Sequence, residues 1–180
     1  MAHVAPPMVS FLAKRPAVKA VLPLPKLREL VSGAAPLSTK LSDAVKKRLN
    51  TTLVVRQGHE MTELSPASHI GDIHWRDSPG SAGRRLGGIV CKVEHPETGA
   101  CIGVGPDQVG KLWVRGERVM LGYLNNPGAT AETIDAEGFL HTGDMGYVDA
   151  NGTYFIVDRL KELIEVKGFQ VAPAELEVLM

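Results

Sequence analysis

Leu27-Arg28-Glu29-Leu30-Val31-Ser32-Gly33-Ala34-Ala35-Pro36, then Ser38 to Asn50, then Leu53-Val54-Val55, is the stretch that decides the fold. Leu27 to Val31 reads as a strand running into a turn of small residues. Ser38 suits a helix N-cap, and Leu41, Val45 and Leu49 repeat every four residues, placing one apolar stripe on a helix that ends near Asn50. Leu53-Val54-Val55 is a second short β run. Strand, helix, strand in about 30 residues is the pattern of a parallel sheet covered by helices. Upstream, Met8, Phe11 and Leu12 share a face over Pro6 to Arg15, a short helix or extended start, and Pro16, Pro23 and Pro25 break the stretch between it and Leu27.

Downstream of Gly83 the pattern shifts to β. Ile89 to Glu94 alternates, Pro96-Glu97-Thr98-Gly99 is a turn, and Lys111 to Arg115 is a strand. Tyr147-Val148-Asp149, the turn Ala150-Asn151-Gly152, and Thr153 to Val157 read as a hairpin. Pro173 to Glu177 looks like the start of a helix that the chain leaves after about two turns, too short to be stable alone. The expectation is a truncated C-terminus.

The chain has 180 residues, 20 basic and 20 acidic side chains and a formal net charge of zero. With no basic block, a dedicated nucleic-acid binder is excluded, because phosphate neutralisation needs excess Lys and Arg. Apolar residues at 44% and charged residues at 22% suit a globular core. No apolar run nears the roughly 18 residues of a membrane span. The N-terminus has no signal-peptide pattern, so a cytoplasmic protein is expected, with peroxisomal residence open to a longer relative. Cys91 and Cys101 are too few for a disulfide framework and fit two partly buried thiols in a reducing compartment.

Several motifs fail their own tests. His59-Glu60-Met61-Thr62-Glu63 has a glutamate where a zinc protease has its second histidine, and nothing fixes His69 or His74 as further ligands. Ser32 to Lys40 and Ser78 to Arg85 lack the Gly-x-x-x-x-Gly-Lys spacing that wraps phosphates. No Gly-x-Ser-x-Gly elbow supports a serine hydrolase. Two motifs pass. Gln57 to Glu63 follows a strand end, where α/β sheets bind ligands, and its hydroxyl and carboxylate suit a phosphate and Mg²⁺. His141-Thr142-Gly143-Asp144 is read as a loop before a strand, whose Asp could accept two hydrogen bonds from a ribose diol.

In order along the chain stand Ser32-Gly33-Ala34-Ala35-Pro36-Leu37, Gln57-Gly58-x-x-Met61-Thr62-Glu63, Gly110 to Gly116 and Gly122 to Pro127. Gly138 to Asp144, Asp158 to Ile164 and Lys167 to Glu175 complete the series. Together they resemble the adenylate-forming (AMP-binding) superfamily, most closely its 4-coumarate–CoA ligase, acyl-CoA synthetase and luciferase-like branch. The resemblance implies an acyl-adenylate made from a carboxylic acid and Mg-ATP with release of pyrophosphate. A thiol, usually that of CoA, then displaces AMP.

Residue by residue, the resemblance gives Thr62 to the α-phosphate and Glu63 to Mg²⁺. Gly33, Ala34, Ala35, Gly58 and His59 would flank adenine and acyl group. Asp144, assisted by Arg159, would clamp the ribose hydroxyls. Asp158 would be the hinge of a rotating C-terminal domain, with Lys161 and Gln170 beside nucleotide and thiol. The partners so implied are a small carboxylic acid, CoA and the missing segments of the parent fold.

The fold implied is α/β: a partial parallel sheet with helices plus a β-rich, barrel-like subdomain, a fragment of the family's large domain. Residues 1–85 would be the α/β part, 86–157 the β-rich part, and 158–180 the hinge and the start of the small domain. The family's phosphate loop, expected upstream, and its adenylation lysine, expected far past the hinge, are not in these 180 residues. A gene fragment, a misannotated reading frame or a remnant is therefore expected, and whether it is itself an enzyme is left open. A non-catalytic nucleotide-binding remnant and a piece of an amino-acid-activating module are the rivals; the Lys161-to-Glu175 stretch favours the CoA branch.

Three positions depart from the family pattern. His59-Glu60 stands where a tyrosine and a glycine are usual. His59 can still stack on adenine with less area, whereas Glu60 would repel an acid and demand a φ suited to glycine. Glu165 replaces a common lysine.

Overall fold

The structure, a computed structural model, describes residues 1–22, 24–35, 37–49, 52–72, 80–159, 164–166 and 169–171. The chain opens with β1 (Ala2–Val4), α1 (Pro6–Lys14), a 3₁₀ turn over Pro16–Val21, β2 (Glu29–Ser32) and α2 (Thr39–Leu49). Pro6 and Pro7 occupy the first turn of α1, where a missing N–H costs nothing. Ser38 caps α2: its Oγ accepts from the Leu41 N–H at 3.3 Å. Val45 and Leu49 of the apolar stripe are buried, with Leu41 packed beside them. They join Val9, Val18, Leu30, Leu37 and Leu53 in one core, and Arg48 ties the helices by donating to the Ala13 and Arg15 carbonyls at 2.8 and 2.6 Å.

β3 (Val54–Glu60) completes a parallel trio, β1 on β2 and β2 on β3, as the strand–helix–strand reading requires. It also runs well past Val55. Beyond the end of β2 at Ser32 its carboxyl half finds a new, antiparallel partner in β4 (Ala67–Ile70), followed by β5 (Arg84–Arg85). The Gln57-to-Glu60 motif therefore lies within a strand and not after one. Gly58 permits this: a Cβ there would stand 3.0 Å from the His69 carbonyl.

The second sheet is antiparallel, in the order β6 (Ile89–Glu94), β7 (Gly110–Gly116), β8 (Leu140–Val148), β9 (Tyr154–Arg159). It is an open four-stranded sheet, not a closed barrel. Its inner residues Ile89, Val93, Leu112, Val114 and Leu140 pack with Leu64 and Tyr154 into a second core. A short helix, α3 (Pro127–Thr133), precedes β8, capped by Asn126 Oδ1 accepting from the Ala129 N–H at 3.1 Å. His141-Thr142-Gly143-Asp144 falls inside β8, correcting the loop expected there; Gly143 at φ 77° lets the strand bend at that point. The Tyr147–Val157 hairpin forms as read, with Tyr147 opposite Phe155.

The two sheets are joined at Gly83. Its carbonyl accepts from the Tyr154 N–H at 2.8 Å, and the Tyr154 carbonyl accepts from the Ala82 N–H at 2.8 Å. A short antiparallel pair, β10 (Ile164–Val166) with β11 (Phe169–Val171), ends the described chain. Among the described residues no helix is long and apolar enough to cross a membrane.

Candidate functional site

Where the two sheets meet they enclose a cavity of about 320 Å³. Ala34 and Ala35, from the turn after β2, form one wall with Gln57, Gly58, His59 and Glu60 of β3; Asp144 of β8 and Asp158 and Arg159 of β9 face them. The carboxyl ends of parallel strands build one side, as expected for α/β sheets. The antiparallel sheet supplies the other.

A buried chain of hydrogen bonds begins at Asp144. Its Oδ2 lies 2.6 Å from His59 Nε2, and His59 Nδ1 lies 2.7 Å from Ser68 Oγ. Ser68 Oγ is 2.8 Å from His69 Nδ1, and His69 Nε2 is 3.4 Å from Cys91 Sγ. A β-bulge makes this possible. His59 pairs with His69 and Glu60 with Ala67, so Ser68 is the extra residue on β4. Strict alternation would send Ser68 and His69 to opposite faces; the bulge re-aims the serine between two imidazoles.

Burial, with His59 and Arg85 adding to it, pushes the His69 pKa down to about 3, so its ring is neutral. Burial pushes Cys91 up to about 12, so it keeps its proton. With a neutral His59 ring, one order of donors runs through the chain. The Cys91 thiol donates to His69 Nε2, His69 Nδ1–H to Ser68 Oγ, the Ser68 hydroxyl to His59 Nδ1, and His59 Nε2–H to Asp144 Oδ2. Every member is satisfied, which is the condition for a buried polar chain to be tolerated. The alternative acceptor for Ser68, the His59 carbonyl, is 3.4 Å away and loses to the 2.7 Å contact. Asp144, His59 and Ser68 have the order of a hydrolase triad, yet Ser68 is 0% exposed and no substrate carbonyl can reach it.

The second oxygen of Asp144, Oδ1, is 3.5 Å from Arg159 Nε. The Asp144 N–H donates to Thr142 Oγ1 at 3.1 Å, and the Thr142 hydroxyl donates to the Leu112 carbonyl at 2.7 Å, fixing the bend around Gly143. Of the residues singled out from sequence, the cavity thus gathers Ala34, Ala35, Gly58, His59, Asp144 and Arg159. Gly33 lies just beneath it: a Cβ there would fall on the Glu60 carboxylate. Asp158 lines the cavity from within β9, opposite Met145. Thr62 and Glu63 begin a 3₁₀ turn after β3 and are not part of the cavity lining; Glu63 Oε1 accepts from the Tyr123 hydroxyl at 2.8 Å. Lys161 lies outside the described residues, as does the side chain of Gln170 in β11.

Glu60 corrects one expectation. It sits in extended β3 and is not among the residues with positive φ, so no glycine-like backbone is demanded of it. Two members of the Asp144–His59 chain of bonds, Ser68 and Cys91, escape the sequence reading as site residues, and His69 enters it only as a zinc ligand. No linear spacing joins them; strand register does.

The AMP-binding enzyme family matches residues 1–124. Over all 180 residues the chain is 49% identical to a protein named probable 4-coumarate–CoA ligase 1 from Dictyostelium discoideum, covering 32% of that protein. It is 46% identical over 184 residues to 4-coumarate-CoA ligase 2 from Narcissus pseudonarcissus, again covering 32%. Among solved structures, ATP-bound MatB from Rhodopseudomonas palustris superposes with a TM-score of 0.85 at 28% identity, over 98% of this chain and 34% of that one. The anthranilate CoA ligase AuaEII with anthranoyl-AMP gives 0.84 at 27%, over 97% and 32%. The chain spans about a third of the length of these relatives. The family match covers more than half of these 180 residues: the chain belongs to the AMP-binding enzyme family.

Proposed function

We propose that this chain carries the nucleotide- and acyl-binding part of an acid–thiol ligase. The reaction activates a carboxylic acid with ATP to an acyl-adenylate and pyrophosphate, and a thiol, CoA, then takes the acyl group and releases AMP. The observation that carries the reading is the position of Asp144. Its carboxylate faces the Ala34–Ala35 turn and β3 across a cavity deep enough for a nucleoside. A ribose diol would donate to its two oxygens, with Arg159 balancing the charge. The Ala34–Ala35 turn and Gly58 offer flat, small-residue surface for adenine.

Adenylation builds charge on the α-phosphate, so fixed donors there lower the barrier. Thr62 would supply a hydroxyl. Glu63 fits a Mg²⁺ ion shared with the nucleotide, because such an ion needs only one or two carboxylates, and the Tyr123 hydroxyl engages one Glu63 oxygen and leaves the other. The ion, when bound, would neutralise phosphate charge. Lys161 and Gln170 are assigned to the nucleotide and thiol side, and Asp158 to the hinge, on the resemblance alone. On the same ground we divide the chain into an α/β part (1–85), a β-rich part (86–157) and a hinge segment (158–180); the cytoplasm is the location we propose for the reaction, with the peroxisome open to a longer relative.

Isothermal titration of the chain with AMP tests this. One saturable site that Asp144→Ala weakens is expected; no heat at millimolar AMP would sink the reading. His59 supplies a second expectation. Its Nε2–H occupies the Asp144 oxygen that a ribose hydroxyl needs. His59→Tyr removes that competitor and adds stacking area, so AMP should bind about 5- to 10-fold more tightly, the worth of roughly one net hydrogen bond. His59→Phe, which cannot hydrogen-bond, should share most of the gain; a loss of affinity in both variants would make His59 a contributor to binding.

A further inference from the structure

Glu60 is half-buried in the cavity wall, and its carboxylate lies over Gly33. A Cβ at Gly33 would collide with Glu60 Oε2, so the missing side chain at Gly33 is what lets the carboxylate lie there. Among the described residues no hydrogen bond or ion pair reaches it. The charges around the cavity explain why. Among the described residues three carboxylates line it, Glu60, Asp144 and Asp158, against one guanidinium, Arg159. Arg159 and His59 both turn to Asp144. Asp158 is 9% exposed; its Oδ1 accepts from the Arg159 N–H at 2.7 Å, and its Oδ2 is buried with no partner among the described residues. Among the described residues two of the three carboxylates are thus uncompensated, and this lining stays acidic even with a proton added to His59.

A carboxylate partly shielded from water and without a partner gains from a ligand that supplies the missing charge. The same carboxylate repels the acid group of any substrate. Both conditions are met by one class of molecule: an acid whose carboxyl end lies toward Asp144 and whose far end is a cation. Resting on the ligase reading above, we infer that the acid activated at this site carries an ammonium group and that Glu60 recognises it. Charge-assisted pairing in a partly desolvated site is the strongest polar recognition available to a single side chain. Glu60 is therefore a specificity-determining residue, which selects against the neutral aryl and alkyl acids that a glycine at this position would admit.

Two pairs of isosteric probes test this on the chain itself. The first pair is the acylsulfamoyl-adenosines of 4-(aminomethyl)benzoic acid and 4-ethylbenzoic acid, which differ only by CH₂NH₃⁺ against CH₂CH₃. The second is the two free acids, followed by the NMR shifts of the Gly33 and Glu60 amides. Isothermal titration should give the aminomethyl conjugate at least a tenfold lower Kd. In Glu60→Gln the two conjugates should agree within about twofold, the range of context dependence. Equal affinities in the unaltered chain, or a preference that survives Glu60→Gln, would overturn the inference. Failure of AMP and both conjugates to bind would remove the ligase reading instead. The free-acid pair then decides: a preference for the ammonium acid that Glu60→Gln abolishes upholds Glu60 as the cation site, and no preference overturns it.

Discussion

Replacing Asp144 with alanine should weaken AMP binding by about 10- to 100-fold, one charge-assisted hydrogen bond of roughly 1.5–3 kcal/mol, since two bonds to one diol do not add in full. The carboxylate has two dependants, and their fates differ. Arg159 is largely exposed at its side chain and returns to water at little cost. His59 cannot: its Nε2–H points at Asp144 Oδ2 from a buried position, and alanine leaves that donor orphaned. A stability loss of about 1–3 kcal/mol in urea unfolding should accompany the binding defect. Asp144→Asn separates the two effects. The amide oxygen still accepts from His59, so stability should largely return. Its NH₂ cannot accept from a ribose hydroxyl, so binding should remain weak. An Asn variant that binds AMP as well as the unaltered chain would remove Asp144 from the nucleotide site.

Much of the architecture around Asp144 can be read in the sequence, for local reasons. Leu41, Val45 and Leu49 mark a helix because their four-residue spacing survives folding unchanged. Ala150-Asn151-Gly152 marks a hairpin because its turn chemistry is contained in three residues. The features that escaped were set by partners distant in sequence. Val54–Glu60 is one strand because β2 holds its first half and β4 its second; its own residues, with a glycine and two charges after Val55, read as a strand that ends early. Gly143 disguised the middle of β8 as a loop for the same reason. β1 is three residues long, below any period. α3 is short and buries no side chain, so it has no apolar stripe to find. On the site, the family motifs named Asp144 and His59 separately. Their contact across 85 positions of sequence, and the serine that a bulge places behind them, are products of register.

The chain of bonds behind Asp144 also sets how the protein should respond to acid. His69 is fully buried among His59, Ser68, Cys91, Tyr154 and the cross-strand Arg85, with its ring centroid 4.3 Å from that of Tyr154. Burial first, then the neighbouring His59 and Arg85, hold its pKa down to about 3 against an ordinary value of 6.5. Both ring nitrogens are committed, Nδ1 to Ser68 and Nε2 to Cys91, and the thiol that burial holds near 12 gives His69 no anion to favour a second proton. The unfolded chain therefore binds this proton more readily than the folded one. Stability contributed by neutral His69 is complete above about pH 6.5 and is lost progressively as pH falls toward 3. The slope approaches 1.4 kcal/mol per pH unit, which gives roughly 1.5–2 kcal/mol between pH 6.5 and 5, above the range where most carboxylates titrate. Urea unfolding at closely spaced pH values should show that slope. His69→Gln, able to accept from Cys91 and donate to Ser68, should flatten it. Direct observation of the ring nitrogens by ¹⁵N NMR makes the result independent of how well the variant folds: in the native chain His69 should keep one protonated and one bare nitrogen down to pH 4.5. Titration of those resonances near pH 6.5 would show that His69 takes up a proton where it lies, and the one-way order of donors from Cys91 to Asp144 would fall with it.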